Sequence, residues 1–165
     1  MLTLIRHAFG ETNKPFRSEN INCMKRIYSK IEPEKLLHFV YTKKDLDSQE
    51  VRGYNISPEE MALQVRTIHS KNLDLFPGHN HPSQKRKTKR TQESLIIVEG
   101  SIEATYFDID NTELGKIILK SGDCFITFEG GHKFQVLEQP TMMYEHKNGP
   151  YNGVKKDKKM IRGEQ

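Results

Sequence analysis

From residue 61 onward the chain is cut into short apolar runs with turn residues between them, and this rhythm restricts the fold more than any other feature. Leu63, Val65 and Thr67 alternate with Gln64, Arg66 and Ile68. Residues 94–98 form an apolar run stopped by Glu99-Gly100, and 102–109 come at once after it. Residues 116–119 lead into Ser121-Gly122-Asp123, 124–128 into Gly130-Gly131, and 134–137 through Gln139-Pro140 into 141–144. Runs recurring about every ten residues, bounded by glycine-bearing turns and lacking a helical period, predict antiparallel strands in a sandwich or barrel. The fold class expected is mainly β.

The earlier part reads differently. Ile31, Leu36, Leu37 and Val40 fall at near-helical spacing, which predicts a helix over 29–40 with Pro33 in its first turn. Residues 48–57 are polar and contain Gly53, so they read as a connector. Ser57-Pro58-Glu59-Glu60 has the form of an N-cap followed by proline, predicting one helical turn. The organisation expected is a partly helical N-terminal extension over 1–56 and one β domain over 57–165. A chain of 165 residues is long enough to bury a real core.

Charge narrows the partners. Lysine and arginine number 26 against 22 aspartate and glutamate, a net of +4, which is too diffuse for a nucleic-acid surface. Lys85, Arg86, Lys87, Lys89 and Arg90 form one denser run. It reads as a solvated loop or as a basic rim attracting a phosphorylated or nucleotide-linked ligand. Cys23 and Cys124 make no CxxC pair or disulfide framework, as in a reducing interior. No apolar stretch approaches the roughly 20 residues of a membrane span, and the first residues lack a signal-peptide core. A soluble cytoplasmic protein, binding neither nucleic acid nor membrane, is expected.

The residues with chemical potential begin at His79-Asn80-His81, beside Pro77-Gly78. On an extended segment two histidines two apart face the same way, with Asn80 opposite. Glu93 opens an otherwise apolar strand, and a buried carboxylate there needs a partner. His132 begins the alternation His132, Phe134, Val136, which turns its ring toward the core. Three imidazoles and a carboxylate suit zinc, iron, manganese or nickel. Gln64, Arg66, Tyr106, Tyr144 and His146 are polar residues that alternation could bring to the same interior as ligand contacts. Cys124 reads as a small core residue. Arg6-His7, with Gly10-Glu11-Thr12 after it, echoes a histidine-phosphatase motif, but Ala8-Phe9 interrupts it and no alternating βα pattern comes after.

These motifs resemble a single-domain cupin. His79-Asn-His81 and the six-residue interval from Glu93 to Gly100 are similar to the first cupin motif, with the basic run inside a lengthened interval between the histidines and Glu93. Gly122 to His132 is similar to the second, with Phe128 in place of its proline. Tyr144-Glu-His-Lys-Asn-Gly-Pro-Tyr151, with Asp157-Lys158 after it, resembles the ending of small WbuC-like cupin-fold metalloproteins of polysaccharide and nucleotide-sugar gene clusters. The resemblance implies a double-stranded β-helix (an RmlC-like jelly roll), a divalent transition-metal site at His79, His81, Glu93 and His132, and a homodimer. The activity it implies is that of a metal-binding cupin handling a small polar molecule, of which anionic, sugar-linked and nucleotide-linked compounds are the candidates. Two alternatives stand beside it. One is a metal-independent nucleotide-sugar isomerase or epimerase with His79 or His132 as base and Tyr144 or a carboxylate as its partner. The other is a non-catalytic ligand-binding or regulatory cupin.

Overall fold

The glycine-punctuated runs become strands. A computed structural model describes residues 24–72 and 76–161, so the Arg6-His7 echo and Cys23 lie outside the described residues. Among the described residues, ten strands and two short helices form in chain order. Strands β5 (Glu93–Glu99) and β6 (Ser101–Phe107) are joined through Gly100, whose φ of 78° is open to glycine and costly to other residues. Strand β7 (Glu113–Lys120) folds back on β6, and β9 (Gly131–Val136) lies on its other edge, making a three-stranded sheet in the order β7-β6-β9.

The larger sheet has five strands in the order β1-β2-β8-β5-β10. Its members are β1 (Lys25–Tyr28), β2 (Leu36–Tyr41), β8 (Cys124–Thr127), β5 and β10 (Met142–Lys147), and every pairing is antiparallel. One face packs against the three-stranded sheet through Val40, Leu95, Ile97, Phe125, Ile102, Ala104 and Leu119. The other carries Phe39, Tyr41, Cys124 and Ile126. It is covered by the 56–65 segment and by the hairpin of β3 (Gly53–Asn55) and β4 (Arg66–Ile68). The two main sheets face each other without closing.

A sheet covered on both faces explains where the chain departs from expectation. Every residue of β2 is buried, so its sequence loses the period of two and becomes an apolar run interrupted only by His38. Such a run matches a helix template by accident. In place of the helix expected over 29–40 there is a turn followed by β2, which hydrogen-bonds β8 in the middle of the main sheet. The described part of 1–56 thus shares the sheet and core of the later residues. A helix does form nearby, α1 (Lys43–Asp47), started by a capping box of Thr42 and Asp45. The turn expected at Ser57-Pro58 is present as Met61 N–H donating to Pro58 O, and it goes no further.

The β5–β10 pairing contains a bulge that sets which β10 side chains face inward. Met142 pairs with Glu99 but Met143 with Ile97, so Val98 is an extra residue on β5. Beyond it the partners are Tyr144 with Ile96, Glu145 with Leu95, His146 with Ser94 and Lys147 with Glu93.

Candidate functional site

Cross-strand partners share a face, and one row of them is entirely polar. His38 on β2 pairs with Thr127 on β8, Thr127 with Glu93 on β5, and Glu93 with Lys147 on β10. The row crosses four strands at one end of the inner face, beyond the apolar row of Val40, Phe125 and Leu95. The facing sheet adds His132, which pairs with Tyr106. Glu145 joins them by the parity of β10, two residues before Lys147.

A cleft of about 460 Å³ opens over this row. Thr91, Glu93, Thr127, His132, Glu145 and Asp157 are among its walls, and Lys133, Lys158 and Lys159 are at its edge. Asp157 ends α2 (Val154–Asp157) and accepts from Thr91 Oγ1 at 2.7 Å, which ties the tail to the start of β5. Asn148 supports the same junction, accepting from Gln92 N–H at 2.8 Å and donating to Arg90 O at 3.1 Å.

Charge in the cleft is concentrated and unlike. Lys147 Nζ stands 3.1 Å from Glu93 Oε2, 3.3 Å from Glu145 Oε1 and 3.4 Å from Asp157 Oδ2. Partial burial works against its charge, but Glu93 and Glu145 outweigh burial and hold Lys147 well above the usual lysine range. Burial likewise pushes Glu93 up, yet the contacts with His132 in its protonated form, with Glu145 and with Lys147 bring it down to about 2. Glu145 moves the other way, raised by hydrogen bonding to Glu93 and then by desolvation. Of two adjacent carboxyls, Glu93 keeps its charge and Glu145 holds its proton more tightly. Glu93 Oε1 lies 3.2 Å from His132 Nε2. Although the Glu93 side chain is only 9% exposed, that oxygen accepts no hydrogen bond of proper geometry among the described residues.

The sequence-predicted residues separate into four groups. Glu93 and His132 meet in the cleft, and Tyr106 is buried behind them, its hydroxyl accepting from Lys25 Nζ. His79 and His81 are exposed on the irregular stretch before β5, with their ring centroids 4.9 Å apart and His79 Nδ1 3.2 Å from Pro77 O. Gln64 and Arg66 are exposed, and the Gln64 amide donates to the carbonyls of Pro58 and Met61. Tyr144 and His146 are exposed and take the parity opposite to Glu145 and Lys147, so they pair with Ile96 and Ser94 away from the cleft.

No three His, Cys, Asp or Glu side chains converge as metal ligands would among the described residues. The set of His79, His81, Glu93 and His132 does not fit a metal as placed, because the first two pair with each other on the loop and Lys147 already neutralises Glu93. Sequence reasoning passed over His38, Thr127, Glu145, Lys147 and Asp157 as site residues. Glu145, Lys147 and Asp157 belong to the C-terminal stretch from Tyr144 to Lys158 that the sequence singles out, and that stretch is the signal that could have found them. No family model, curated protein or solved structure matches the chain.

Proposed function

We propose that the cleft is a general acid–base site that takes a proton from a small carbonyl- or hydroxyl-bearing molecule and returns one to it, on a cupin-like double-stranded scaffold. The observation that supports this reading is the meeting of Glu93 and Glu145 around Lys147, with His132 against Glu93 and the two carboxyls driven apart in proton affinity. Environments that separate neighbouring titratable groups are how acid and base roles are assigned. His132 takes a proton from a carbon next to the carbonyl. Glu145, the carboxyl with the stronger hold on a proton, donates it to the carbonyl oxygen as the enol forms and takes it back when His132 returns a proton to carbon. Glu93 stays ionised to stabilise the imidazolium that forms in between. Lys133, Lys158 and Lys159 along the cleft attract an anionic group on the same molecule, as in a nucleotide-linked keto-sugar.

Solvent-deuterium exchange tests this. Deoxythymidine- and uridine-diphosphate 4-keto sugars, and free hydroxyketones, are incubated with the protein in D2O and read by mass spectrometry. The expected result is deuterium next to the carbonyl of at least one compound, lost in His132→Gln and kept after exhaustive chelation. Silence across the panel, or exchange indifferent to His132→Gln, overturns the reading. Exchange abolished by chelation and restored by zinc, iron, manganese or nickel overturns it in favour of metal chemistry.

A further inference from the structure

A buried histidine that never reaches the cleft is linked to His132 through a single threonine hydroxyl. His38 is fully buried on β2, with its ring stacked 5.6 Å from that of Phe125. Its Nε2 lies 3.0 Å from Phe107 O and its Nδ1 lies 3.1 Å from Thr127 Oγ1. Thr127 Oγ1 is in turn 3.2 Å from His132 Nδ1. Glycine at 130 permits this approach: its φ is +84°, and a Cβ there would collide with Phe107 O and lie 3.1 Å from His38 Nε2.

Proton counting along this line leaves one solution. A carbonyl oxygen only accepts, so His38 must carry its proton on Nε2. Burial pushes His38 down to about 4, so at neutral pH the ring holds a single proton and Nδ1 is an acceptor. The only proton that can fill it is that of the Thr127 hydroxyl. Having spent that proton, Thr127 can only accept at His132, and Nδ1 of His132 must be the donor.

We infer that His38 and Thr127 are positioning residues that hold neutral His132 in the Nδ1–H form, leaving its Nε2 lone pair beside Glu93 Oε1. Two acceptors 3.2 Å apart, one of them a carboxylate oxygen with no donor among the described residues, then present themselves to whatever enters the cleft. A neutral base with its free nitrogen in place takes up a proton there and becomes an imidazolium paired with Glu93. The assignment deepens the acid–base reading and rests on it for its purpose, but it is read on ligand-free protein, so either can fail without the other.

The experiment is long-range proton–nitrogen correlation on protein labelled with 15N-histidine, recorded across neutral and alkaline pH. Wild type is expected to show His132 with a pyrrole-type Nδ1 and a pyridine-type Nε2, and Thr127→Ser to keep that pattern. Thr127→Val removes the acceptor, and His132 should switch to the Nε2–H form donating to Glu93. His38→Gln, whose amide can donate to Phe107 O and accept from Thr127, should keep the wild-type pattern. A pyridine-type Nδ1 in wild type, or a Thr127→Val protein that folds and keeps Nδ1–H, overturns the inference. Should Thr127→Val fail to fold, the wild-type and Thr127→Ser spectra decide alone.

Discussion

Acid should weaken the native state through His38 before Glu93 is touched. An exposed histidine takes up a proton near 6.5, whereas burial holds His38 near 4 in the folded chain. Between those values the unfolded chain binds the proton and the folded one refuses it, so stability falls as the pH falls through that window. The gap is worth about 3 kcal/mol in total, of which about 2 kcal/mol is lost between pH 7 and pH 5. Glu93 acts in the same direction but lower down: its stabilisation is complete above about 4.5 and is lost as the pH falls toward 2. The two windows barely overlap. Urea unfolding monitored by circular dichroism at pH 7, 6 and 5, for wild type and His38→Gln, separates them. The absolute stabilities will differ because the ring packs on Phe125, so the comparison is of slopes. Wild type should lose about 2 kcal/mol more than the variant across that range. Parallel curves would refute the argument, since they would mean that His38 takes up its proton in the fold as easily as outside it.

The same geometry predicts two further outcomes. Lys147→Met removes the cation shared by Glu93, Glu145 and Asp157 and should cost about 3 kcal/mol at pH 7, with part of the loss recovered near pH 4 as carboxyls take up protons; a cost under about 0.5 kcal/mol in urea titrations would show that the carboxylates do not depend on it. His79→Ala/His81→Ala, on exposed residues, should leave stability within about 0.5 kcal/mol and leave deuterium exchange intact. Elemental analysis of untagged protein giving one transition metal per wild-type chain and none in the double variant would instead join the histidine pair to the cleft.

How much of the fold and the cleft was legible in the sequence depended on where burial was one-sided. The seven segments from Leu63 onward read as strands because turns bounded them and alternation or a short apolar run filled them, and all seven form in the order expected. β2 was opaque for the opposite reason. Covered above and below, LLHFVY carries no period, and only its pairing with β8 shows what it is. Glu93 was legible because a carboxylate at the head of an apolar strand must be compensated. The choice on β10 turned on one residue. Carried straight through, the register would set Tyr144 opposite Ile97, on the inner face. The bulge at Val98 shifts the parity, and Glu145 and Lys147 take that face instead. No local signal in 94–98 announces a bulge, so alternation alone favoured the wrong pair. The His79-Asn80-His81 spacing presumed an extended strand, and that stretch has no strand partner among the described residues.

The polar row also says something about how the molecule comes together. Its four members stand at 38, 93, 127 and 147, and no two neighbours in the row are close in the chain. Each contact closes a long loop, and such contacts are the last to repay their entropy during folding. Partly assembled sheets, with one edge of the row still open, would strand a carboxylate or an ammonium without its counterpart. The polar row is therefore complete only when the outermost strand docks, and the pairing of Lys147 with Glu93 becomes a natural marker for the finished sheet.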